Sequence, residues 1–475
     1  MKAVGRLGGW ADRAVVVTLV SLSAYPPTRL PAQDTSAIDR GVRIGIVYRP
    51  GVRPGVVLLP DRSAALDSAR TILARDLDYS DRFEMITLPD GDSIRVASLP
   101  PPTGARTAAG AGEAGGARAH SGGEASLNYP LYRALGADFA ITLATSGDTA
   151  QLTVHDVTAG AVRRLVKARL PAGASSRFRM AVHRLADQIV EATLGTAGTA
   201  ATRVLFVMEG KLYQIDSDGA GFKQILATAG RTIMSPAWER AGRRIAYMEF
   251  WSGHGQLFAQ DAAGGGHRRA VTTGSTLDFT PAFSPDGKSL TFSRATEEGT
   301  DIYTFNLRDN CCLQRLTVGR FSDNLSPAYS PDGQRVAFVS TRAGLPQIYV
   351  MAADGTDQEL FAPFDYGVTG SSNAPDWSPD GQFVAFHRDV AGTLQVFVLD
   401  VRTRTVRQLT SLGRNEDPTW APDSRHVAFV SDRSGYRQLW VIDMETGRIR
   451  PLLQQSGVRL PAWSPRLAEA EPSTP

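Results

Sequence analysis

The side chains best suited to catalysis are few in this sequence and follow no known catalytic spacing. The seven histidines are scattered, at His120, His155, His183, His254, His267, His387 and His426. They include no His-Glu-x-x-His or other paired metal spacing, and the chain has no Gly-x-Ser-x-Gly turn that would present a nucleophilic serine. We therefore expect the histidines to be surface or turn residues, and we predict a protein that is not an enzyme and has no cofactor or metal.

A carboxylate recurs in the turn Ser-Pro-Asp-Gly, which could suggest calcium binding or acid catalysis. The proline sets φ for such a turn, the glycine tolerates a positive φ, and the aspartate side chain caps its own turn. One carboxylate per turn makes neither a metal site nor an acid–base pair. We therefore assign this aspartate a structural role.

The only two cysteines, Cys311 and Cys312, are adjacent. Neighbouring Cα atoms lie about 3.8 Å apart across a trans peptide, which is closer than the usual span of a disulfide. Two ligands alone also make a poor zinc site. The spacing therefore predicts two unpaired thiols.

The elements around these residues are set by a repeat in the second half of the chain. Six units of the form Pro-x-aromatic occur, and their aromatic residues are Trp238, Phe283, Tyr329, Trp377, Trp420 and Trp463. The separations are 45, 46, 48, 43 and 43 residues. This period is typical of a four-stranded blade of a β-propeller.

Each repeat predicts the same four strands. In the unit that begins at Pro327, an inner strand leads into the Ser-Pro-Asp-Gly turn, and strands follow at 335–340, 347–351 and, more weakly, 359–361. The last repeat stops just after Trp463, whereas residues 203–227 contain three strands without an inner one. We predict that residues 461–465 supply that strand and close a six-bladed propeller at residues 203–466, which removes open sheet edges.

The N-terminal part of the chain has a different pattern. Strands are predicted at 42–48, 56–59, 83–88, 139–144, 152–157 and 162–169, and amphipathic helices at 63–77 and around 178–190. Residues 33–195 thus predict a small α/β domain with a mixed sheet and two helices. Residues 99–126, rich in Pro, Gly and Ala, are expected to form a mobile insertion. Residues 196–202 are predicted to be a linker and 467–475 a tail.

The start of the chain and its charge bear on location and partners. Residues 1–32 predict a secretory signal peptide, because Lys2 and Arg6 precede an apolar run at 14–22 that is too short for a permanent anchor. The net charge of +3 comes from 51 basic and 48 acidic residues without a long basic run. Such a run is what nucleic-acid binding needs. We therefore expect an exported, soluble protein without a nucleic-acid partner.

Six loops, one before each Pro-x-aromatic unit, must surround one mouth of the propeller channel. They vary between repeats and are polar, as the rim of a specific interface would be, although ordinary solvated loops are the alternative. We predict that this mouth binds a protein, with Phe279 as a buried anchor. The candidate residues are Asp278, Phe279, Asp323, Asn324, Asn373, Arg414, Asn415, Glu416 and Arg459.

A second candidate contact lies near the start of the mature chain. The alternation at 42–48, which includes Val42, Arg43 and Ile44, predicts an ordinary sheet strand. Residues 33–45 could instead form a detachable strand that pairs with the sheet of a partner or folds back on the propeller. The residues alone leave both interpretations open.

The order of these parts resembles the TolB family over about residues 40–466. The residues that carry the resemblance are Val-Arg-Ile-Gly-Ile at 42–46, Gly-Val-Val-Leu-Leu at 55–59, Leu-Gly-Ala-Asp-Phe at 135–139, the Ser-Pro-Asp-Gly turns and Pro-Ala-Trp-Ser-Pro at 461–465. The resemblance implies a monomeric periplasmic adaptor that reaches membranes only through its partners.

In that family, the propeller mouth binds Pal, the peptidoglycan-associated lipoprotein, and the N-terminal segment communicates with TolA of the inner membrane. The resemblance therefore implies a Pal-like partner at the mouth and a TolA-like partner near Val42, Arg43 and Ile44. It also implies a role in outer-membrane integrity and in constriction at cell division. Two alternatives remain open: a propeller hydrolase or carbohydrate-binding protein that uses the same channel, and a cell-surface propeller without a link to Tol proteins.

Overall fold

The computed structural model describes residues 53–59, 66–88, 127–171, 173, 175–264, 268–365 and 368–468. Four predicted features therefore lie outside the described residues: the signal peptide at 1–32, the strand at 42–48, the insertion at 99–126 and the tail from 469 onward. In the part of the chain that is described, no helix is both long enough and apolar enough to cross a membrane.

The N-terminal α/β region is built on a mixed five-stranded sheet. Its strands are β1 (Gly55–Leu58), β2 (Glu84–Ile86), β3 (Phe139–Ser146), β4 (Thr149–Asp156) and β5 (Ala161–Arg169). Their order is β2-β1-β3-β4-β5. β1 is parallel to β2 and β3, whereas β3–β4 and β4–β5 are antiparallel. The structure therefore contains the predicted mixed sheet.

Three helices are present in the described part of this region, one more than predicted. α1 (Asp67–Tyr79) and α3 (Ser176–Leu194) are the predicted pair, and their apolar sides share one core with β1, β3 and β4. Ser175 caps α3 by accepting a bond from the Phe178 amide, and Gly195 ends it at φ 71°. The additional helix, α2 (Tyr129–Ala134), is a single short segment capped by Asn128.

Residues 203–463 form twenty-four strands. These strands are β6 (Arg203–Met208), β7 (Lys211–Asp216), β8 (Lys223–Leu226), β9 (Thr232–Trp238), β10 (Arg244–Trp251), β11 (His254–Asp261), β12 (Arg269–Ala270), β13 (Asp278–Phe283), β14 (Ser289–Thr296), β15 (Gly299–Asn306), β16 (Cys311–Arg315), β17 (Ser322–Tyr329), β18 (Arg335–Ser340), β19 (Gln347–Ala352), β20 (Glu359–Leu360), β21 (Ser372–Trp377), β22 (Phe383–Val390), β23 (Thr393–Asp400), β24 (Val406–Gln408), β25 (Asn415–Trp420), β26 (His426–Ser431), β27 (Gln438–Asp443), β28 (Ile449–Leu453) and β29 (Arg459–Trp463).

These strands form a β-propeller of four four-stranded sheets and one eight-stranded sheet. The large sheet holds two four-strand repeats, β13–β16 and β17–β20, joined where β15 pairs with β17 at Gly299↔Ser322 and Thr300↔Asp323. The C-terminal strand β29 pairs antiparallel with β6, and Trp463 faces Val204. The prediction that the last strand completes the sheet at residues 203–227 is therefore confirmed.

The turns between first and second strands follow the predicted chemistry. In the turn at 330–333, the Asp332 carboxylate accepts bonds from the Ser330 hydroxyl and the Gln334 amide, at 2.5 and 3.0 Å. The Ser330 hydroxyl in turn accepts a bond from the Arg335 amide, at 2.9 Å. The repeated aspartate therefore caps its own turn.

The two cysteines form a disulfide, so the prediction of unpaired thiols is wrong. That prediction relied on the spacing of the two Cα atoms, which is 3.7 Å. It did not consider the backbone of Cys312, whose φ of 66° departs from extended strand geometry. The described part of the chain contains no free cysteine.

Candidate protein-binding site

The propeller has two ends, because consecutive strands within each repeat are antiparallel. The Ser-Pro-Asp-Gly turns and the loops between third and fourth strands lie at one end, which we call the turn face. The loops between second and third strands, and those that lead into each inner strand, lie at the other end, which we call the open face. The predicted mouth loops therefore belong to the open face.

All six Pro-x-aromatic units meet around one cavity of about 620 Å³. The residue before each proline has a left-handed φ between 49° and 54°. These residues are Ser235, Thr280, Ser326, Ala374, Asp417 and Leu460. Each inner strand also shifts register against its neighbour at this point. The channel wall is thus formed by a ring of β-bulges, which bend each strand where it borders the cavity.

Three of the predicted mouth residues are fully buried and bonded inside the propeller. Asp278 holds the Arg294 guanidinium at 2.6 and 2.9 Å. The Asn324 amide donates to Asp301 at 3.0 Å, and the Asn415 amide donates to Gln395 at 2.8 Å. Their side chains are 0% exposed. They link strands of the propeller and are not available to a partner.

The other predicted residues are accessible to different degrees. Arg459 is exposed, whereas Phe279, Asp323, Asn373, Arg414 and Glu416 are half-buried. Phe279 packs against the core formed by β10, β11, β13 and β14. Glu416 is held between the guanidinium groups of Arg414 and Arg437, at 3.1 and 3.2 Å. The possible contact at Val42, Arg43 and Ile44 lies outside the described residues.

The open face also presents apolar side chains that the sequence analysis did not select. Seven large ones are at least 40% exposed there, and we call them the apolar arc: Val318, Phe321, Leu345, Val368, Val390, Leu412 and Tyr436. Phe321 alone is 92% exposed. All seven lie between β16 and β27, whereas no such side chain of the described residues lies on the open face between β6 and β15. The only sequence signal was one or a few apolar residues in these loops, for example Val318 and Phe321 between β16 and β17.

On the turn face, the α/β region contacts the propeller through two buried ionic clusters. In the first, the imidazole of His183 on α3 lies 2.7 Å from Asp76 on α1 and 3.8 Å from Asp216 on β7. Arg179 bonds Asp216 and Asp218 at 3.2 and 2.6 Å. Burial alone would lower the pKa of His183, but the neighbouring carboxylates of Asp216 and Asp76 outweigh it and raise the pKa to about 10.

The second cluster joins the end of α1 to the last repeat. The imidazole of His426 lies between Asp423 and Asp81, at 2.8 and 3.2 Å. Burial opposes its charge, but Asp423 outweighs burial and raises the pKa of His426 to about 9. Arg425 binds Asp443 through two bonds of 2.7 and 2.6 Å and donates to the Asp81 carbonyl at 3.0 Å.

Both clusters contain ligand atoms close enough for a metal ion, in Asp76, His183 and Asp218 and in Asp81, His426 and Asp443. In each, however, an arginine already binds a carboxylate of the set, Arg179 at Asp218 and Arg425 at Asp443. We therefore assign both clusters as ion-pair networks that fasten the α/β region to the propeller.

Four histidines contradict the expectation that each is a surface or turn residue. His155, His183, His387 and His426 are at most 8% exposed. His183 lies beside Asp76, 107 residues away, and His426 lies beside Asp81, 345 residues away, as well as beside the nearby Asp423. His387 accepts a bond from the Asp417 amide, 30 residues away. Asp76, Asp81 and Asp417 are distant in sequence from these histidines, so local spacing could not identify them.

Comparison with known proteins identifies the fold. The family model for the TolB beta propeller domain matches residues 190–467, which is more than half of the chain. The chain belongs to the TolB family. A crystal structure of TolB from Acinetobacter baumannii superposes with a TM-score of 0.70 at 24% identity, covering 88% of this chain and 98% of that one. That likeness extends the shared fold beyond the propeller into the α/β region.

Curated TolB relatives match over a shorter stretch. The Tol-Pal system protein TolB of Bordetella pertussis is 29% identical over 243 residues, which is 49% of this chain and 54% of the relative. The protein of the same name from Bordetella bronchiseptica gives the same values. The chain thus spans about half the length of the curated TolB relatives it matches.

Proposed function

We propose that this protein is a periplasmic adaptor of a Tol-Pal-type envelope system, which binds a Pal-like lipoprotein on the open face of its propeller. In this proposal, residues 33–45 with Val42, Arg43 and Ile44 provide the contact to a TolA-like inner-membrane protein. The adaptor would support outer-membrane integrity and constriction at cell division. The name of the Bordetella relatives, Tol-Pal system protein TolB, supports the assignment to this system.

We also infer that the propeller has six blades at residues 203–466 and that the α/β domain covers residues 33–195. The eight-stranded sheet contains two complete four-strand repeats that share only two residue pairs, so we count it as two blades. The six units that line one cavity support this count. Six blades place six variable loops around one opening.

The observation that carries the proposal is the apolar arc. A concentration of exposed apolar side chains on one face of a protein commonly marks an interaction site. The arc lies on the face opposite the α/β region, so a partner could reach it without displacing that region. Polar residues next to it, Asp323, Asn373, Arg414, Glu416 and Arg459, would form the rim that surrounds an apolar interface centre.

The proposal can be tested with a Pal-like lipoprotein from the same envelope. Its periplasmic domain is purified, and its capture of this protein is measured. We expect the double variant Phe321→Ser with Leu412→Ser to bind at least about tenfold more weakly, which corresponds to about 1.4 kcal/mol. Its melting temperature should not change, because both side chains are more than 60% exposed, at 92% and 66%.

The matched control replaces two exposed apolar residues that lie off the open face, Phe222→Ser with Leu313→Ser. Phe222 is 39% exposed and Leu313 46%. We expect capture by this control to equal that of the wild type. Equal capture by the open-face variant would refute the assignment of the site, and no capture by the wild type would refute the Pal-like partner.

A further inference from the structure

The sheet of the α/β region ends in a long strand with an open edge. β5 is nine residues long and is the terminal strand of the order β2-β1-β3-β4-β5. Among the described residues, only β4 pairs with it. Most of its side chains are exposed, in contrast to the largely buried β4. The opposite edge strand, β2, has only three residues.

The backbone of β5 directs three sets of polar groups away from β4. The Leu170 amide donates to the Asp148 carbonyl at 2.8 Å, which continues the ladder just beyond the Thr149↔Arg169 pair. In an antiparallel pair, bonded and non-bonded positions alternate. The N–H and C=O groups of Leu165, Lys167 and Arg169 therefore point outward. Such a row is a ready template for an added strand.

The side chains of β5 indicate which strand would be added. The strand carries Arg163, Arg164, Lys167 and Arg169 and no acidic residue. Arg163 pairs with Asp156 and Arg169 with Asp148, whereas Arg164 and Lys167 have no ion-pair partner among the described residues. An added strand that brings carboxylates would therefore neutralise charge on both faces of β5.

Apolar side chains lie on the same strand between these cations. Val162 is 56% exposed and Leu165 is 49% exposed, and they lie opposite His155 and Thr153 in the β4–β5 register. Basic residues alone on an edge strand would protect it from aggregation. Two exposed apolar residues beside an open row of backbone groups instead favour pairing, because they add contact area for an incoming strand.

A second copy of this chain is a poor candidate for that strand. Pairing two β5 strands would bring eight cations together, four from each copy. Like charges directly across a sheet are destabilising. We propose that β5 binds an extended acidic segment of a partner protein by strand addition, with carboxylates facing Arg164 and Lys167. This inference concerns a different surface from the open face and does not depend on the proposed function.

A labelled synthetic peptide of about eight valine and isoleucine residues, with glutamates three positions apart so that carboxylates lie on both faces of the added strand, is a suitable probe for the protein. Fluorescence anisotropy should show saturable binding that weakens with added salt. The same peptide with lysine in place of glutamate should bind at least about tenfold more weakly. Equal binding of both peptides would overturn the proposal.

A pair of variants at one position separates the backbone from the charge. Lys167→Ala removes the charge and keeps the outward N–H, whereas Lys167→Pro removes both without breaking a bond to β4. We expect Lys167→Pro to bind the acidic peptide at least about tenfold more weakly than Lys167→Ala. Equal affinity of the two variants would exclude strand addition.

Hydrogen exchange on the wild-type protein gives a second readout that needs no variant. On adding the acidic peptide, the amides of Leu165, Lys167 and Arg169 should become protected, while those of Val166 and Ala168 already are. Uniform or absent protection would contradict the proposal. A concentration-dependent dimer lost in Lys167→Pro would instead identify a second copy as the occupant. Phe321→Ser should bind the peptide like the wild type. A failure of the proposed Pal-like site can therefore be distinguished from a failure of strand addition at β5.

Discussion

Two ion pairs at opposite ends of the propeller differ in how far they are removed from water. On the turn face, Arg425 and Asp443 have side chains that are 3% and 0% exposed. On the open face, Arg437 and Glu416 are 41% and 12% exposed. A buried pair is costly to break because it leaves an uncompensated charge, whereas an exposed pair contributes little. The Arg425–Asp443 pair therefore helps to fix the α/β region, whereas Arg437 and Glu416 remain free to change partners. Other carboxylates at the open face, such as Asp278 beside Arg294, are fully buried.

Removing one arginine from each end is the strongest test of this comparison. Arg425→Leu leaves Asp443 buried without its bidentate partner, so we expect the free energy of unfolding to fall by about 3–5 kcal/mol. Arg437→Leu on the open face should lower it by less than about 1 kcal/mol, because Arg414 still pairs with Glu416. Urea denaturation of both variants beside the wild type measures the difference.

The same two variants also distinguish loss of the contact between the α/β region and the propeller from loss of global stability. Arg425 donates to the Asp81 carbonyl of the α/β region, so Arg425→Leu should increase hydrogen exchange around Asp81 more than in the inner strands. Arg437→Leu should leave exchange around Asp81 unchanged. Equal losses of stability in the two variants would show that these two ion pairs do not differ as we describe.

Two buried histidines provide a second contrast, through pH. Asp423 raises the pKa of His426 to about 9 against the opposing effect of burial, so its stabilisation is complete below the unfolded pKa of 6.5. It is lost as pH rises from 6.5 to about 9. Burial lowers the pKa of His387 to about 4. Its stabilisation is therefore present above pH 6.5 and lost as pH falls toward 4.

Unfolding free energies of wild type, His426→Gln and His387→Gln across pH check both signs. The contribution of His426 between pH 6.5 and 9 should amount to about 3 kcal/mol, at about 1.4 kcal/mol per unit of pKa shift. The difference between wild type and His426→Gln should therefore shrink toward alkaline pH. The difference between wild type and His387→Gln should shrink toward acidic pH. A difference that is constant with pH would refute the assigned protonation states.

The propeller could be predicted from the sequence because its signals are local and periodic. The turn at Pro331 and Gly333 and the aromatic residue that precedes it specify each repeat, and the missing inner strand before Arg203 required β29. The ionic clusters carried no such signal. Asp81 and His426 are 345 residues apart, and neither lies in a recognisable motif.

The candidate site was predictable only in outline. The variable loops indicated which end of the channel differs between repeats. Neighbouring polar residues in these loops, however, differ in burial. Asn324 is buried against Asp301, while Asp323 beside it is half-buried. Burial depends on the tertiary neighbours of each side chain, so alternation alone could not assign Asn324 to the interior. The exposed Phe321 was missed because apolar residues in a loop are common and do not by themselves indicate a binding site.

The smallest expected effect lies between the two ends, in the bulges of the channel wall. Ala374 has a φ of 53°, a conformation that costs an alanine about 1–2 kcal/mol and a glycine almost nothing. Ala374→Gly should therefore raise the free energy of unfolding by about 0.5–1 kcal/mol, once the entropy that glycine adds to the unfolded chain is subtracted.

The control is Ala385→Gly in the buried strand β22. Ala385 lacks a positive φ, so the free energy of unfolding should fall by about 1 kcal/mol. Urea denaturation distinguishes a gain from a loss, and a loss at both positions would mean that the bulge residues are not strained. A gain at Ala374 would indicate that the bulges of the inner strands reduce stability. Their strained backbone would then be a cost of the shape of the channel between the turn face and the open face.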